Sequence, residues 1–434
     1  MVGGQIRKGP ANSKLPLVAE LTKCYVRHKQ HRCPERGRKG TGHIVQGVFK
    51  MSASRAILAD LLTEAGVAVD GDHPWDIKVS DERLFHDILL RKNLGLGEGY
   101  MRGWWNCERV DEFIFRVLKT GAEERVRDSW RLVAKALPAL LLNMQSLSRA
   151  RVVAKRHYDL GNDLFEGFLD PYMQYSCAYF KGMDGCADPL SDDQSSRDLE
   201  EAQQAKMRLI CEKLELAPGD RVLDIGCGWG GLARFMAEER GCKVVGVNIS
   251  KRQIEFARDF CAGLPVEIRE TDYRLLDEPF DKIVSVGMFE HVGPRNYGEF
   301  MDTVARCLKP NGLFLLHTIG GNTTSRSIDP WISTYIFPNG CLPSIAQVSR
   351  ASESHFVMED LHNFGPFYDR TLLCWLRNFR RSWPKLRGKY GDRFRRMWEY
   401  YLQSCAGAFR ARDIQLWQFV FSPTGRRQPE CRMG

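Results

Sequence analysis

The sequence predicts an α/β protein in which a parallel, doubly wound sheet follows a smaller and mostly helical module. Two observations predict this fold class. Over residues 201–318, short apolar segments with β-branched residues alternate with segments of helical period. A glycine-rich stretch at 226–231 also separates the first of these strands from the helix after it. Ligands of such sheets bind at the carboxyl ends of the strands, so we expect the functional site there.

The glycine-rich stretch is typical of a nucleotide-binding turn. The predicted strand at 221–225 is preceded by Pro218-Gly219-Asp220, and the glycines follow it at once in Gly226-Cys-Gly-Trp-Gly-Gly231. A helix is predicted directly after them, at 232–240. Because glycine has no Cβ atom, backbone N–H groups can approach a ligand at the N-terminus of that helix.

The spacing of the glycines leaves more than one ligand open. Gly226, Gly228 and Gly231 fit the dinucleotide pattern G-x-G-x-x-G. About 20 residues later, where a dinucleotide-binding protein carries an acidic residue for the ribose, this chain has Asn248. Asp224, two residues before the first glycine, can instead face an amine-bearing or cationic ligand. Asp-x-Gly-x-Gly-x-Gly resembles motif I of S-adenosylmethionine (SAM)-dependent methyltransferases, which we favour over a dinucleotide site or a purely structural turn.

The segment before the sheet is expected to form a small structural module. Apolar periodicity predicts helices at 57–62 and 85–90, with a strand-like segment at 76–79 between them. The glycines of Gly95-Leu-Gly-Glu-Gly-Tyr-Met-Arg-Gly-Trp-Trp105 indicate a turn, and its two Trp residues are expected to fill a small core. A structural role is favoured for this module over a substrate site.

The remaining elements alternate as the fold class requires. The polar residues 183–200 are expected to form a surface loop, whereas the segment at 329–365, rich in aromatic residues, Pro and Ser, is expected to cover the site. Further helices are predicted at 201–216, 250–261, 297–308, 370–381 and 392–408, and further strands at 243–247, 266–269, 282–286, 313–318 and 415–421.

The net charge of +9 is confined to the beginning of the chain. Residues 1–50 hold 11 Lys and Arg against 2 Asp and Glu, and the remainder is neutral. We therefore expect residues 1–51 to be a disordered basic leader, and we expect no nucleic-acid binding by the body of the protein. Cys24, His28, His31 and Cys33 are of zinc-ligand types, but their spacing fits no zinc motif, so no metal site is expected.

Cysteine usage and hydropathy predict where the protein works. The 14 cysteines show no CxxC and no paired spacing, and no signal peptide is evident, which favours free thiols in a reducing cytoplasm. The longest apolar run, near 136–142, is too short to cross a bilayer. The protein is therefore expected to be soluble or to attach to a membrane only at its surface.

Seven motifs together resemble one family, the cyclopropane-fatty-acyl-phospholipid synthases with the related mycolic acid cyclopropane synthases. The resemblance covers about residues 52–421, and the set is specific although no single motif is. The motifs are Tyr158-Asp-Leu-Gly-Asn-Asp, Gln174-Tyr-Ser-Cys-Ala-Tyr, Asp224-Ile-Gly-Cys-Gly-Trp-Gly-Gly, Met288-Phe-Glu-His-Val-Gly, Phe314-Leu-Leu-His-Thr-Ile-Gly, Tyr335-Ile-Phe-Pro-Asn-Gly and Cys405-Ala-Gly-Ala-Phe-Arg.

The resemblance implies a domain organisation. A class I (Rossmann-like) SAM-dependent methyltransferase domain would occupy residues 157–421. A smaller, mostly α N-terminal domain at 52–122 would be joined to it by a helical linker at 123–156, and a loose tail would follow at 422–434.

The resemblance also implies a reaction. A methylene group derived from SAM would be added to a cis double bond of an unsaturated phospholipid acyl chain. The carbocation formed first would lose a proton and close to a cyclopropane ring. An alkene is a weak nucleophile, so the methyl donor must be held close and aligned. The cation requires aromatic faces and no water, and a base must lie near the new methyl group.

In the family, the base is a bicarbonate ion held in the site. Cys405 matches a cysteine regarded there as catalytic, but no base pairs with it in the sequence, so a structural role or a place near the site is favoured. His317 and Cys177 could each be structural if taken singly. The residues that match the ligands of the ion are Cys177, Glu290, His317, Ile319 through its backbone, and Tyr368.

The resemblance assigns ten residues to SAM. The Asp224 carboxylate and the glycine backbone should face the methionine part, and the amides of Asn248 and Gln253 should reach the ribose hydroxyls. Many family members have Thr in place of Asn248, and Gln253 could instead be a solvated helix position. Tyr175 and Ser176 should close over the cofactor, and Asp272 and Tyr273 should frame the adenine. The full set is Tyr175, Ser176, Asp224, Gly226, Gly228, Gly230, Asn248, Gln253, Asp272 and Tyr273.

A substrate in a bilayer requires a membrane-facing surface. Aromatic and basic residues are interleaved over 375–398, and this segment could dock on anionic lipid, or its aromatic residues could be core beneath a solvated basic face. The expected partner is the phospholipid surface at the inner face of the cytoplasmic membrane, with a homodimer possible from the resemblance. The alternatives are a lipid methyltransferase with a different product, a silent binding protein and, remotely, a dinucleotide oxidoreductase.

Overall fold

The computed structural model describes residues 54–121, 160–182, 189–190, 197–325 and 327–431. The predicted leader at 1–51, with Cys24 and its neighbouring candidate zinc ligands, lies outside the described residues. The predicted linker at 123–156 and part of the loop predicted at 183–200 lie outside them as well.

The N-terminal module is built from four helices and a two-stranded antiparallel sheet. Trp105 and Phe113 are buried in its core, and their rings lie 5.4 Å apart. The helices are α1 (54–64), α2 (Arg83–Arg91), α3 (Asn93–Met101) and α4 (Val110–Lys119), and the strands are β1 (Lys78–Val79) and β2 (Trp105–Asn106).

The prediction of a turn over Gly95–Trp105 was wrong, because most of that stretch is helix α3. Its glycines serve close packing. A Cβ atom at Gly97 would overlap the Trp331 ring, and one at Gly95 would overlap the backbone carbonyl of Asp87. Each glycine inside a helix costs about 0.5–1 kcal/mol relative to Ala, and tertiary packing overrides that preference here.

The catalytic domain contains a seven-stranded sheet in the order β5-β4-β3-β6-β7-β9-β8. The first five strands in this order are parallel neighbours. The strands are β3 (Arg221–Ile225), β4 (Lys243–Asn248), β5 (Val266–Glu270), β6 (Phe280–Val286), β7 (Leu308–Gly321), β8 (Phe356–Asn363) and β9 (Ile414–Pro423).

Helices cover both faces of this sheet and its carboxyl edge. Two 3₁₀ turns, at Tyr273–Leu275 and Phe289–His291, follow β5 and β6. The helices are α5 (Asn162–Glu166), α6 (Arg197–Lys213), α7 (Gly231–Arg240), α8 (Lys251–Phe260), α9 (Tyr297–Cys307), α10 (Pro330–Tyr335), α11 (Ile345–Ser352) and α12 (Pro366–Arg410).

The prediction of a purely parallel sheet was wrong at one edge. Strand β9 pairs antiparallel with β7 on one side and with β8 on the other. Strand β8 was not predicted, and it lies in the segment that was expected only to cover the site. Its pairing has a register shift between Met358 and Asp360, and its burial does not alternate regularly. A strand of this kind lacks the period-2 signal that sequence patterns detect.

Helix α12 consists of two helical halves that meet at Gly391, whose φ of 73° and ψ of 165° are not helical. The aromatic residues predicted either to contact lipid or to form core are core: Trp375, Phe379, Trp383, Phe394 and Trp398 are each at most 9% exposed. Of the basic residues between them, Arg377 is buried, and Arg395 and Arg396 are half-buried. The exposed ones form what we call the basic face: Arg380, Arg381, Lys385, Arg387, Lys389 and Arg393.

Residues 422–431 pack on the rest of this domain, where the sequence predicted a loose tail. Arg426 donates a hydrogen bond of 2.6 Å to Glu215, and Cys431 is buried. Among the described residues, no helix combines the length and the apolar character that a membrane crossing requires.

The two modules are joined by α12. The Arg410 guanidinium lies within 3.0 Å of the carboxylates of Asp111, Glu112 and Asp369, so one cation links α4 to both ends of α12. Close beside it, Gly407 faces the backbone of α4, and a Cβ atom there would overlap the Asp111 carbonyl oxygen. Contact between the modules therefore requires glycine at this position.

We expect Gly407→Ala to destabilise the protein by about 1–3 kcal/mol, because the added methyl group must push α4 away from α12. The measurement is denaturant unfolding followed by tryptophan fluorescence. The matched control is Gly388→Ala in the same helix, where no atom lies within 4 Å of the new Cβ. It should be neutral or stabilising by about 0.4–1 kcal/mol. Equal effects of the two substitutions would contradict the proposed close contact.

Candidate active site

A cavity of about 1380 Å³ opens at the carboxyl ends of β3, β4, β6 and β7. Pockets for single small ligands usually measure about 300–1000 Å³, so this cavity has room for a nucleotide-type ligand and a second, elongated one. Of the sixteen residues predicted for the site, fourteen line the cavity. The two that do not are Cys177 and Gly230.

The glycine turn after β3 forms one end of the cavity. Gly226 and Gly228 have φ values of 84° and 56°, which favour glycine, and both line the cavity. Gly231 begins α7, and a Cβ atom there would overlap the Tyr172 carbonyl. Gly230 faces away from the cavity, because its Cβ position lies 3.1 Å from Ala257 of α8. Gly230 therefore packs against α8 and is not among the residues that line the cavity.

Asp224 lies beneath this turn with 2% of its surface exposed. Burial raises the pKa of its carboxyl group to about 7, and the nearby ammonium group of Lys206 partly offsets the rise. Lys206 is fully buried, and its Nζ donates hydrogen bonds of 2.5 Å to Gln174 and 2.8 Å to Ser176. It thereby holds the segment that closes the cavity above the glycine turn.

Sequence reasoning missed Lys206, although a signal for it exists. Leu199, Ala202, Lys206 and Ile210 follow one another at helical spacing, and the structure buries all four. A lysine on the apolar stripe of a helix requires a buried polar partner. The sequence pattern alone cannot say which partner, because Gln174 and Ser176 belong to a segment that is distant in the chain.

The residues expected near the ribose and the adenine also line the cavity. Asn248 donates hydrogen bonds to the Gly228 carbonyl (3.2 Å) and to Gln253 (3.0 Å), so its amide holds the turn and orients Gln253. Asp272 accepts hydrogen bonds from the backbone and side chain of Arg274, which hold the pKa of its carboxyl group below the ordinary value. Tyr273 packs edge-on against Phe300.

A second end of the cavity is defined here by Glu290, which lies in the 3₁₀ turn after β6. Its Oε1 accepts a hydrogen bond of 2.6 Å from the backbone N–H of Ile319, whereas its Oε2 is buried without a partner among the described residues. Burial raises the pKa of this carboxyl group to about 7. The N–H of Ile319 is thus used by Glu290, and this residue lines the cavity without a free donor.

His317 and Tyr368 reach the same end from β7 and α12. His317 is 1% exposed, its Nδ1 lies 3.2 Å from Nε2 of Gln418, and its own Nε2 has no partner. Burial, with the positive charges of Lys206 and Lys213, holds the pKa of His317 well below the ordinary value, so the ring is neutral. Burial raises the pKa of Tyr368, so its phenol stays protonated.

The two candidate cysteines are both protonated thiols. Cys177 is fully buried behind the cavity wall, where its Sγ donates to the Ala178 carbonyl at 3.2 Å. Burial raises its pKa strongly. Cys405 does line the cavity, and burial raises its pKa to about 12. A thiol held in this form is a poor nucleophile.

Aromatic side chains surround the space between the two ends. The Tyr175 hydroxyl contacts the Tyr401 hydroxyl at 3.0 Å, and the Tyr368 ring stacks on Phe409 with centroids 4.6 Å apart. Such faces attract positive charge. The aromatic residues of the cavity wall are Phe165, Tyr175, Trp229, Tyr273, Trp331, Phe337, Tyr368, Tyr400, Tyr401 and Phe409.

The N-terminal module contributes to the same cavity, although a purely structural role was favoured from the sequence. Its helices α3 and α4 supply a mostly apolar patch of the wall. The module also holds the segment over the cavity, because the Tyr335 hydroxyl donates to Glu98 (2.9 Å) and Asn93 donates to Asp329 (2.9 Å). The lining residues of the module are Asn93, Leu96, Ile114, Val117 and Leu118.

Comparison with known proteins identifies the family. Residues 145–419 match the family model described as mycolic acid cyclopropane synthetase. The chain is 54% identical over 366 residues to the cyclopropane-fatty-acyl-phospholipid synthase of Escherichia coli K12, covering 84% of this chain and 92% of that one. It is 34% identical over 282 residues to cyclopropane mycolic acid synthase 1 of Mycobacterium tuberculosis, covering 61% of this chain and 94% of that protein.

Comparison with solved structures supports the same family and fold. The mycolic acid cyclopropane synthase CmaA1 in complex with SAH and CTAB superposes with a TM-score of 0.54 at 33% identity, covering 62% of this chain and 97% of that one. Coclaurine N-methyltransferase superposes with a TM-score of 0.56 at 20% identity, over 75% of this chain and 98% of that one, which supports the fold alone.

Together, these comparisons confirm the predicted fold class, enzyme class and family. The chain is a SAM-dependent methyltransferase with the class I fold, and it belongs to the mycolic acid cyclopropane synthetase family.

Proposed function

We propose that the enzyme transfers a methylene group from SAM to a cis double bond of unsaturated phospholipid acyl chains and so forms a cyclopropane ring. One observation carries this proposal. A single cavity is lined both by the glycine turn and by Glu290 and His317, each of which has a buried polar atom without a partner among the described residues. The name of the relative from Escherichia coli supports the phospholipid acyl chain as the substrate.

The nucleotide end fits SAM. The Asp224 carboxylate offers an acceptor to the amino group of the methionine part, and the Gly226–Gly228 backbone lets that part come close. Gln253, oriented by Asn248, offers a neutral amide to the ribose. SAM bound here would supply an electrophilic methyl group at the centre of the cavity. The SAH found in CmaA1 is what SAM becomes after it has given up its methyl group.

The dry end suits an alkene that becomes a cation. Addition of a methyl group to one alkene carbon leaves positive charge on the other, and loss of a proton from the new methyl group allows the ring to close. Glu290, His317 and Tyr368 are at most 8% exposed, so bulk water has little access to the cation. The rings of Tyr175, Tyr368 and Tyr401 lie around the space where the charge develops.

We further propose bicarbonate as the group that collects the proton. Oε2 of Glu290 can accept a hydrogen bond from the hydroxyl of the ion, whereas Tyr368, as a protonated phenol, can donate one. His317 faces the same space with its unpartnered Nε2. Bicarbonate bound there would supply the base. Cys177, behind the wall, and Ile319, whose N–H is used by Glu290, have no direct contact with the ion in this proposal.

The second part of the cavity suits an acyl chain. Leu96, Ile114, Val117 and Leu118 of the N-terminal module form an apolar part of the cavity wall. Each methylene group of an acyl chain that is buried there would contribute about 0.8 kcal/mol of favourable binding free energy. The module therefore belongs to the substrate site in this proposal, and its spacing from Glu290 would select the position of the double bond.

The chain must also meet a bilayer, and we propose that it does so as a peripheral protein at the inner face of the cytoplasmic membrane. The aromatic residues of α12 are core, so attraction to lipid there would be electrostatic. The basic face carries six exposed cations. Lys389 is paired with Asp163 at 2.7 Å, and the Arg380 guanidinium lies 3.6 Å from Glu399. Basic groups near an anionic surface each contribute about 1 kcal/mol.

The proposed function predicts the mass of the product. Expressed in a bacterium that lacks cyclopropane lipids, the enzyme should raise the mass of unsaturated acyl chains by ~14 Da, the mass of one CH₂. Glu290→Gln should abolish this product and leave SAM binding, measured by calorimetry, unchanged. A gain of ~16 or ~32 Da would instead indicate methyl addition with reduction or hydration. Unaltered acyl chains in the presence of folded, SAM-binding enzyme would contradict the proposal.

The basic face predicts salt-sensitive binding to anionic vesicles. Reversing Arg380, Arg381 and Arg387 to Glu should weaken binding to phosphatidylglycerol vesicles at least about tenfold, since each reversal replaces attraction by repulsion. Vesicle sedimentation at low and high salt provides the measurement.

The matched control reverses three exposed basic residues on other surfaces of the catalytic domain, Arg208, Lys243 and Arg295. It changes the net charge by the same amount but leaves the basic face intact, so it should weaken binding much less. If both triple variants lose affinity equally, only net charge matters and the basic face is not a docking surface.

A further inference from the structure

The antiparallel pairing of β7 and β9 places Gln418 directly opposite His317. Both side chains are buried, with 0% and 1% of their surfaces exposed. Nε2 of Gln418 lies 3.2 Å from Nδ1 of His317. Gln418 itself does not line the cavity, so it stands behind the imidazole and reaches it from the side opposite the substrate space.

This contact decides which nitrogen of the imidazole carries the proton. A neutral imidazole has one N–H donor and one acceptor nitrogen, and an amide NH₂ group can only donate. Because Gln418 donates to Nδ1, that nitrogen is the acceptor and the proton sits on Nε2. The Nε2 atom has no partner in the part of the chain that the structure describes, and His317 lines the cavity, so the N–H is available to a bound group.

The Gln418 amide directs its Nε2 at Nδ1 of His317, and its Oε1 has no partner among the described residues.

We propose that Gln418 is a positioning residue that keeps His317 as the Nε2–H tautomer, so that the imidazole donates a hydrogen bond into the cavity and does not act as a base. This inference rests on the proposed function in one respect, namely that the recipient is an oxyanion such as bicarbonate. The assignment of the tautomer stands on the contact between the two side chains alone. A donor at this position suits an oxyanion, whereas an acceptor would repel it.

The tautomer of His317 can be determined directly by ¹⁵N NMR. In protein carrying ¹⁵N-labelled histidine, the His317 signals are assigned by their loss in His317→Gln. We expect a one-bond N–H coupling at Nε2 and none at Nδ1 in the wild-type enzyme. In Gln418→Met, which keeps the volume and removes the donor, the coupling at Nε2 should weaken as both tautomers become populated. Gln418→Asn, whose amide is too short to reach Nδ1, gives the same test if the first variant folds poorly.

The matched control is Gln415→Met on the same strand. Gln415 is similarly buried, and its amide bonds to Asn363 and to the Arg412 carbonyl instead of His317. This variant should leave the His317 signals unchanged. A wild-type enzyme with the proton on Nδ1, or with both nitrogens protonated, overturns the proposal, and so does full retention of the Nε2–H form in the Gln418 variants.

A titration with bicarbonate alone separates this inference from the proposed function. If both are right, bicarbonate shifts the Nε2–H signal of the wild-type enzyme, and Gln418→Met weakens that binding in proportion to the fraction of the Nε2–H tautomer that is lost, about twofold if the two tautomers become equally populated. If the tautomer is as stated but bicarbonate produces no shift, the role of Gln418 stands and the role of bicarbonate fails.

Discussion

The active site is built around the buried carboxylate of Glu290. One of its oxygens accepts a hydrogen bond from the backbone, and the other has no partner among the described residues. Glu290 is buried beside a neutral imidazole and a protonated phenol, and no cation in the described part of the chain pairs with it. Proteins normally avoid such an arrangement, because an ionised group without a partner is costly to bury. In the proposed reaction, such a group would hold an ion near a developing cation without admitting water.

The rest of the fold encloses this group. Strand β6 delivers Glu290, β7 delivers His317, and the first turn of α12 delivers Tyr368, all at the carboxyl edge of the sheet. The N-terminal module then closes the space through α3, whose Gly97 admits the Trp331 ring and whose Glu98 binds Tyr335. Contacts distant from the chemistry, such as that between Gly407 and α4, therefore bear on the dryness of the cavity.

The sequence predicted the parallel part of the sheet well, because strand–glycine–helix order and apolar period are local signals. The site at the carboxyl edge followed from the fold class, and the identities of its polar residues followed from the resemblance. Tertiary relationships were not predictable. Gly230 serves helix packing, the glycines of α3 serve the Trp331 contact, and Lys206 and Gln418 matter through residues distant in the chain. The irregular strand β8 and the burial of the α12 aromatic residues also depend on neighbours that no local pattern specifies.

The most direct test of the central claim is the pH dependence of stability in Glu290→Gln, measured by denaturant unfolding between pH 5 and 8. Folding raises the pKa of this carboxyl group from 4.5 to about 7, so its ionisation destabilises the folded state increasingly as the pH rises through that interval. The variant should therefore be more stable than the wild-type enzyme at pH 8, on the order of 1–3 kcal/mol, and the difference should shrink towards zero at pH 5. A variant that is less stable at pH 8, or a difference that does not change with pH, would contradict the account of a carboxylate held dry at the expense of stability.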